Sequence, residues 1–225
     1  MKDCVTECSI KSVDLGTFQC PDRCDDLCRP KMNCDELKKS LLSTMTDKAP
    51  AKWDESSEKL IKWTEKEKAL TAKALLILPL KLIKKSSFQV HRMTESVTKG
   101  NPAATKGATI TLYDSAFKTK IPLARIMAHE LAHVYWNAMT ETEQANYAFA
   151  ANWLTSPSGK PVAGRAKDKY TEPDGALSTT EDFANNVEYL LFDPKRLKAL
   201  TPSLFGWFQT FLGAKFELGG ECANQ

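Results

Sequence analysis

A chain of 225 residues with 31 basic and 28 acidic side chains carries a formal charge of +3, too mild a bias to argue for a nucleic-acid partner or an electrostatic membrane contact. The length allows one large domain or two small ones with a sizeable core, and the composition is that of an ordinary globular protein. No uncharged apolar run is long enough to span a bilayer, and the opening MKDCVTECSIKSVDLG lacks the apolar stretch of a secretory signal, so the chain is expected to be soluble and without stable membrane insertion. Export stays compatible with this start, through a mature form, a longer parent chain or a route that cleaves no signal.

The cysteines are spread unevenly. Cys4, Cys8, Cys20, Cys24, Cys28 and Cys34 crowd the first 34 residues, and only Cys222 lies elsewhere. Spacings of four align sulfurs on short helices and would staple two of them together, which favours disulfides and an oxidising destination. A zinc knot of four thiolates is the competing reading, but its cysteine pairs are more often two residues apart. The expected organisation is a cysteine-rich helical segment over 1–35, a helical subdomain over 36–86 and a core domain over 87–225.

Within the subdomain, NCDELKKSLLSTM and DESSEKLIKWTEKEKALTAKALLILPLKLIKK read as helices, the second broken or kinked at Pro79. The basic, apolar stretch from Lys73 to Lys85 has the look of a membrane-active helix. Its apolar centre is short and flanked by charge, so a buried helix or a helix-to-strand junction is the better reading. From Ser87, FQVHRM is a strand, GNPAATKG a turn-rich connection, and ATITLYD an alternating, half-exposed strand. An edge strand at Ile110, Thr111 and Leu112 would bind an extended peptide by adding it to the sheet.

The next stretch carries the chemistry. Pro122 suits a first helical position, and Leu123, Ile126, Met127, Leu131 and Val134 are apolar at helical spacing. On that helix HELAHVYW spells H-E-x-x-H. His129 and His133 lie one turn apart on one face, where both can reach a single zinc ion, and Glu130 sits beside it as a base for a water the metal acidifies. The competing readings are a chance match and a core helix whose histidines are satisfied by ordinary hydrogen bonds.

Beyond the motif, Thr140 and Glu143 form a capping-box pattern for a helix through NYAFAANWL. The long segment TSPSGKPVAGRAKDKYTEPDGALS reads as an active-site flap or rim. TEDFANNVEYLLFDP is an amphipathic helix stopped by Pro194, and TPSLFGWFQTFLG a last helix with Thr201 as N-cap, Pro202 at its first position and Gly213 at its end.

Two histidines leave zinc short of a protein ligand. The only other histidine is His91, upstream on a strand and expected to have no catalytic consequence. The longer pattern H-E-x-x-H-x-x-G-x-x-H is absent, since Asn137 and Thr140 occupy its last two slots. A downstream carboxylate is therefore expected, and Glu181, opening an amphipathic helix 48 residues beyond His133, is the best candidate. Asp182 competes with it, Glu172 and Asp174 more weakly. Ser178 with Glu181 also spells the capping pattern S-x-x-E, which would leave the glutamate a purely local role.

With these residues the chain resembles the gluzincins, zinc metallopeptidases with two motif histidines and a glutamate from a later helix. TTEDFAN resembles the E-x-F-A-E segment of lethal-factor-like peptidases, in which the leading glutamate binds zinc. The resemblance spans roughly residues 88 to 212. It implies a zincin-like α+β fold, mainly helical, with a small antiparallel or mixed sheet next to the active-site helix. It implies Glu181 as ligand and Asn185 in the place of an acidic residue, four residues on, where it could orient a motif histidine. Relatives of this type often carry a tyrosine about seven residues before the ligand to stabilise the oxyanion. That slot is Asp174 here, so Tyr170 is the candidate to replace it.

The expected activity is hydrolysis of peptide bonds by a zinc endopeptidase, with a protein or peptide substrate. A small zincin with a cysteine-rich head also resembles the toxin domains of bacterial polymorphic and secretion-delivered effectors. That resemblance implies secretion or delivery outside the producing cell and a cognate immunity protein as partner. The alternatives are a peptidoglycan-peptide hydrolase, a degenerate zincin serving as a binding module, and membrane disruption through Lys73 to Lys85.

Overall fold

In the computed structural model, which describes residues 33–49, 59–213, 216–219 and 222, helix α1 (Cys34–Thr44) runs into a short strand, β1 (Met45–Thr46). The chain divides into two units, 1–37 and 38–225. Apart from Cys34, the crowded cysteines lie outside the described residues. Cys34 and Cys222 are each disulfide-bonded.

Helix α2 (Glu65–Leu76) starts later than its hydrophobic pattern suggests, because Thr64 and Glu67 form a reciprocal capping box there. Residues 59–64, just before it, are not helical, and Leu60 bridges Met93 instead. Pro79 sets the break expected of it and opens the short helix α3 (Leu80–Lys84). Ala72, Leu75, Leu78, Leu82 and Ile83 are all buried, so the Lys73 to Lys85 stretch spends its apolar face on the core. No helix among the described residues is long and apolar enough to cross a membrane.

The sheet joins β1, β2 (Gln89–Arg92), β3 (Ala103–Lys106) and β4 (Thr109–Leu112) in the order β1-β2-β4-β3. β1 and β4 run parallel to β2, and β3 pairs antiparallel with β4, so the sheet is mixed. Two expectations change here. Ala103–Lys106, inside the stretch read as a turn-rich connection, is a strand, joined to β4 through a tight turn in which Gly107 takes a φ of +64°. β4 is internal, with Ile110 and Leu112 fully buried and Thr111 and Tyr113 buried on the other side. Among the described residues, the edge strand beside the motif helix is therefore β3.

Helix α4 (Leu123–Asn137) carries the motif. It packs on β3 and β4, on α2 and, most extensively, on α6 (Thr179–Phe192). Helix α5 (Glu141–Ala150) begins at Thr140 with both halves of its capping box formed. The segment after it is not patternless. Trp153–Thr155 (β5) and Pro161–Ala163 (β6) make a hairpin, and 3-10 turns follow at Lys167–Lys169 and Pro173–Ala176. Pro194 stops α6 and also opens α7 (Pro194–Leu200). α8 (Pro202–Leu212) follows at once and ends at Gly213, whose φ is +86°. Thr201 stands at its N-cap position, but its hydroxyl donates back to the Leu197 carbonyl rather than capping the helix.

An aromatic cluster joins these helices. Phe183 of α6 lies 5.1 Å from Tyr147, 5.3 Å from Trp136 and 5.8 Å from Phe208, ring centre to ring centre. These separations are those of favourable edge and tilted ring pairs. Phe183 is two residues from Glu181, so the core contact that fixes α6 on α4 also fixes the carboxylates α6 carries. The architecture is α+β, dominated by helices, with a small mixed sheet beside α4.

Candidate metal centre

The buried face of α4 is apolar: Ile126, Met127, Leu131 and Val134 are all enclosed. Locking that face in the core leaves His129 and His133 partly buried on the opposite side, one turn apart. His129 Nε2 and His133 Nε2 approach to 3.1 Å, and Glu181 Oε2 lies 3.5 Å from the first and 3.4 Å from the second. Metal–ligand bonds of about 2.0–2.2 Å in tetrahedral geometry place ligand atoms about 3.3–3.6 Å apart; both distances to Glu181 fall in that range and the distance between the imidazoles is slightly shorter, so the triangle is close in size to one face of such a site. Among the described residues, these three are the group that could hold a metal ion.

The local competitors fall away on geometry. Ser178 caps α6 by accepting from the Glu181 main-chain N–H at 3.1 Å, which leaves the Glu181 carboxylate free to face the imidazoles. Asp182 is fully buried on another side of α6. It pairs with Arg165 and accepts from Trp153 Nε1 at 2.9 Å and Asn186 Nδ2 at 2.8 Å, so its oxygens serve the core. His91 lies buried on β2 and takes no part in the cluster.

Electrostatics in the cluster follow from carboxylates converging on imidazoles. Burial works against a charged His129, but hydrogen bonds to Glu181 and Glu188, with the charges of Glu130 and Glu188, outweigh it and push its pKa up to about 10. The hydrogen bonds from His129 and His133 hold Glu181 far below the usual carboxylate range. Burial would raise Glu188, yet His129 and Arg125 bring it below its ordinary value.

Glu130 is 6% exposed, and the Thr105 hydroxyl donates to its Oε2 at 2.7 Å and lies 3.2 Å from its main-chain carbonyl. Glu130 is thus tied to the edge strand. Asn137, at the end of α4, donates to the Gly107 carbonyl at 3.0 Å and holds the β3–β4 turn against the same helix.

Other expected site residues lie elsewhere. Asn185 donates to Asp174 at 2.7 Å. The residue against His129 Nδ1 is instead Glu188, whose Oε2 lies 3.2 Å away. Tyr170 is buried between Trp153 and the Arg165 guanidinium, 4.1 Å from its ring centre, and its hydroxyl is enclosed without a hydrogen-bond partner among the described residues. In this arrangement the phenol is not presented to a substrate. Ile110, Thr111 and Leu112 form the internal strand, so the backbone groups available for pairing at this end of the sheet belong to β3. The segment expected to be a flap is fastened along α6, by Thr171 to Asn186 at 3.1 Å and by the bonds of Arg165, Asp174 and Glu172.

Glu188, Arg125 and Thr105 were not singled out by the sequence reading. Glu188 had a usable signal, since it follows Glu181 by two helical turns and so shares its face. Arg125 precedes His129 by one turn on α4, also a legible spacing. Thr105 had none, because its strand reads as a loop. Compared with family models, with curated proteins and with solved structures, the chain matches none of them.

Proposed function

We propose that this chain is a zinc-dependent metallopeptidase of the gluzincin type, an endopeptidase acting on a protein or peptide outside the cell that makes it. The reading is carried by one observation: two Nε2 atoms from α4 and one carboxylate oxygen from α6 form a triangle of metal-site dimensions, with a buried glutamate adjacent to the first histidine. Such a donor set of two imidazoles and a carboxylate fits zinc with a fourth position left open, where the ion would polarise a scissile carbonyl and acidify a water.

The remaining steps belong to the chain's own residues. Glu130, oriented by Thr105, accepts the proton of the attacking water and returns it to the leaving amine. His129, His133 and Glu181 supply the three ligands, and Glu188 orients His129 through Nδ1. An extended peptide pairs with the free edge of β3, which brings its backbone past Glu130.

The buried position of Tyr170 favours a second reading, a zincin scaffold that binds its target without cleaving it, because the oxyanion partner expected of the family is not on offer. Measuring bound metal and casein cleavage on the full chain and on Glu130→Gln separates the two. About one zinc in both proteins, with cleavage only by the unaltered chain, supports the peptidase. Zinc in both without cleavage of casein or of purified cell-wall peptide supports the binding module. No zinc under metal-replete conditions refutes both.

A further inference from the structure

α6 presents two sets of polar side chains. Glu181 and Glu188, two turns apart, meet the histidines of α4, while Asp182, Asn185, Asn186 and Tyr189 fasten the segment from 164 to 178. Arg125 stands where the two sets meet. Its Nε pairs with Glu188 Oε1, and its guanidinium carbon lies 4.9 Å from the centre of the Tyr189 ring. The Tyr189 hydroxyl in turn donates to Glu172, and Arg196 packs on the same ring at 4.8 Å while donating to the Thr171 carbonyl at 2.9 Å.

We propose that Arg125 is a positioning residue for the metal centre: clamped between Glu188 and Tyr189, it holds the Glu188 carboxylate in the plane that places Oε2 on His129 Nδ1. The inference rests on the metal-site reading above. A carboxylate turns easily about its last torsion, and a planar donor on one oxygen fixes where the other points. Glu188, so held, accepts Nδ1–H and leaves the Nε2 lone pair of His129 for a cation. The clamp also joins the metal centre to the 164–178 segment through Tyr189, so the order of that segment and the set of His129 are one property.

Charge and position make opposite predictions for this residue. Removing a cationic side chain near a bound cation strengthens binding if only Coulomb forces matter. Removing a positioning group weakens binding, by about 10- to 100-fold for partners that touch a ligand directly and by less for a group such as Arg125 that acts through one. The sign of the change therefore identifies the role.

The test is zinc affinity by chelator competition, together with the visible spectrum of the cobalt-loaded protein, on the full chain and on Arg125→Gln, Arg125→Lys and Tyr189→Leu. The expected result is a loss of up to about 10-fold for Arg125→Gln, the low end of what direct partners of the ligands give, with altered cobalt bands. Arg125→Lys should recover only part, because an ammonium lacks the planar fork and stacks less well on the ring. Tyr189→Leu keeps every charge but removes the platform, and should shift affinity the same way by less. If Arg125→Gln does not fold by circular dichroism, the other two variants decide. Affinity and bands unchanged in the folded variants, or tighter binding, overturn the proposal while leaving the metal centre standing. An unaltered chain that binds neither zinc nor cobalt overturns the metal reading as well, and the two failures are distinguished by that control.

Discussion

His129 carries a proton well into alkaline pH because two carboxylates face it, and a cation entering the triangle must displace that proton. Below its pKa of about 10, metal affinity is therefore expected to rise about tenfold per pH unit through the neutral range, with close to one proton released per ion bound. Calorimetry in buffers of different ionisation enthalpy measures the release, and chelator competition between about pH 6 and 9 measures the slope. A histidine of ordinary pKa would give a slope that dies away above about pH 7, so a flat profile there contradicts the carboxylate-held cluster. The metal-free protein follows the same linkage. The contribution of the raised His129 is complete below its unfolded value and fades as pH climbs through its folded one. The contributions of Glu181 and Glu188, both depressed, are present above the ordinary carboxylate range and fade in acid. At this scale H-E-x-x-H was legible because helical spacing alone puts two imidazoles on one face. Asn185 was misplaced for the same kind of reason: a four-residue spacing names a neighbouring position on the helix but not which neighbour the histidine meets. On α6 the seven-residue spacing to Glu188 met it instead.

Among the elements, β3 shows where sequence reasoning stopped. Ala103, Ala104 and Lys106 have weak strand preference, Thr105 alone favours a strand, and turn-forming residues bracket them, Asn101 and Pro102 before and Gly107 after. The strand exists because β4 offers a ladder and α4 offers a surface, and both are tertiary facts. β4 was read correctly as a strand, but its alternation pointed to one exposed face, whereas helices and neighbouring strands enclose both. On the proposed reading the edge that a peptide would use is the one bonded to Glu130. Thr105→Val removes a hydrogen bond to a charged group, an interaction of about 1.5–3 kcal/mol, while nearly preserving volume. Its expected effect is a fall of roughly 10- to 100-fold in kcat/KM with zinc content unchanged, and Thr105→Ser should recover most of it. Equal activity in Thr105→Val with metal retained would show that β3 supports Glu130 no more than any packed strand.

Over the whole molecule, the ordering of helices and the α+β class are readable from periodicity and from the caps at Thr140 and Ser178, whereas the cap at Thr64, which sets the true start of α2, was not read. The parallel ladder of β1, β2 and β4 was not, since it depends on partners far apart in the chain and on a strand of only two residues. The proposed metal site depends on the same long-range order. Its candidate ligands come from two helices, and Phe183, two residues from Glu181, seats α6 against α4 in the aromatic core. An ion held by both helices therefore binds the folded state and not the unfolded one, and at a hundredfold excess over its dissociation constant it contributes about 2.7 kcal/mol. For a protein of this size that raises the unfolding midpoint by about 5–10 °C. Thermal melts with zinc and with a chelator should differ by that amount for the unaltered chain. Glu181→Gln should erase the difference, because it removes the only ligand on α6, and its melt in chelator reports separately what the carboxylate contributes to the metal-free cluster. A zinc-dependent shift that survives Glu181→Gln would place the ion elsewhere and leave the His129, His133 and Glu181 triangle as a hydrogen-bonded cluster. A shift lost with Glu181 but kept in Glu130→Gln would tie the ion to the two helices and leave Glu130 free for chemistry.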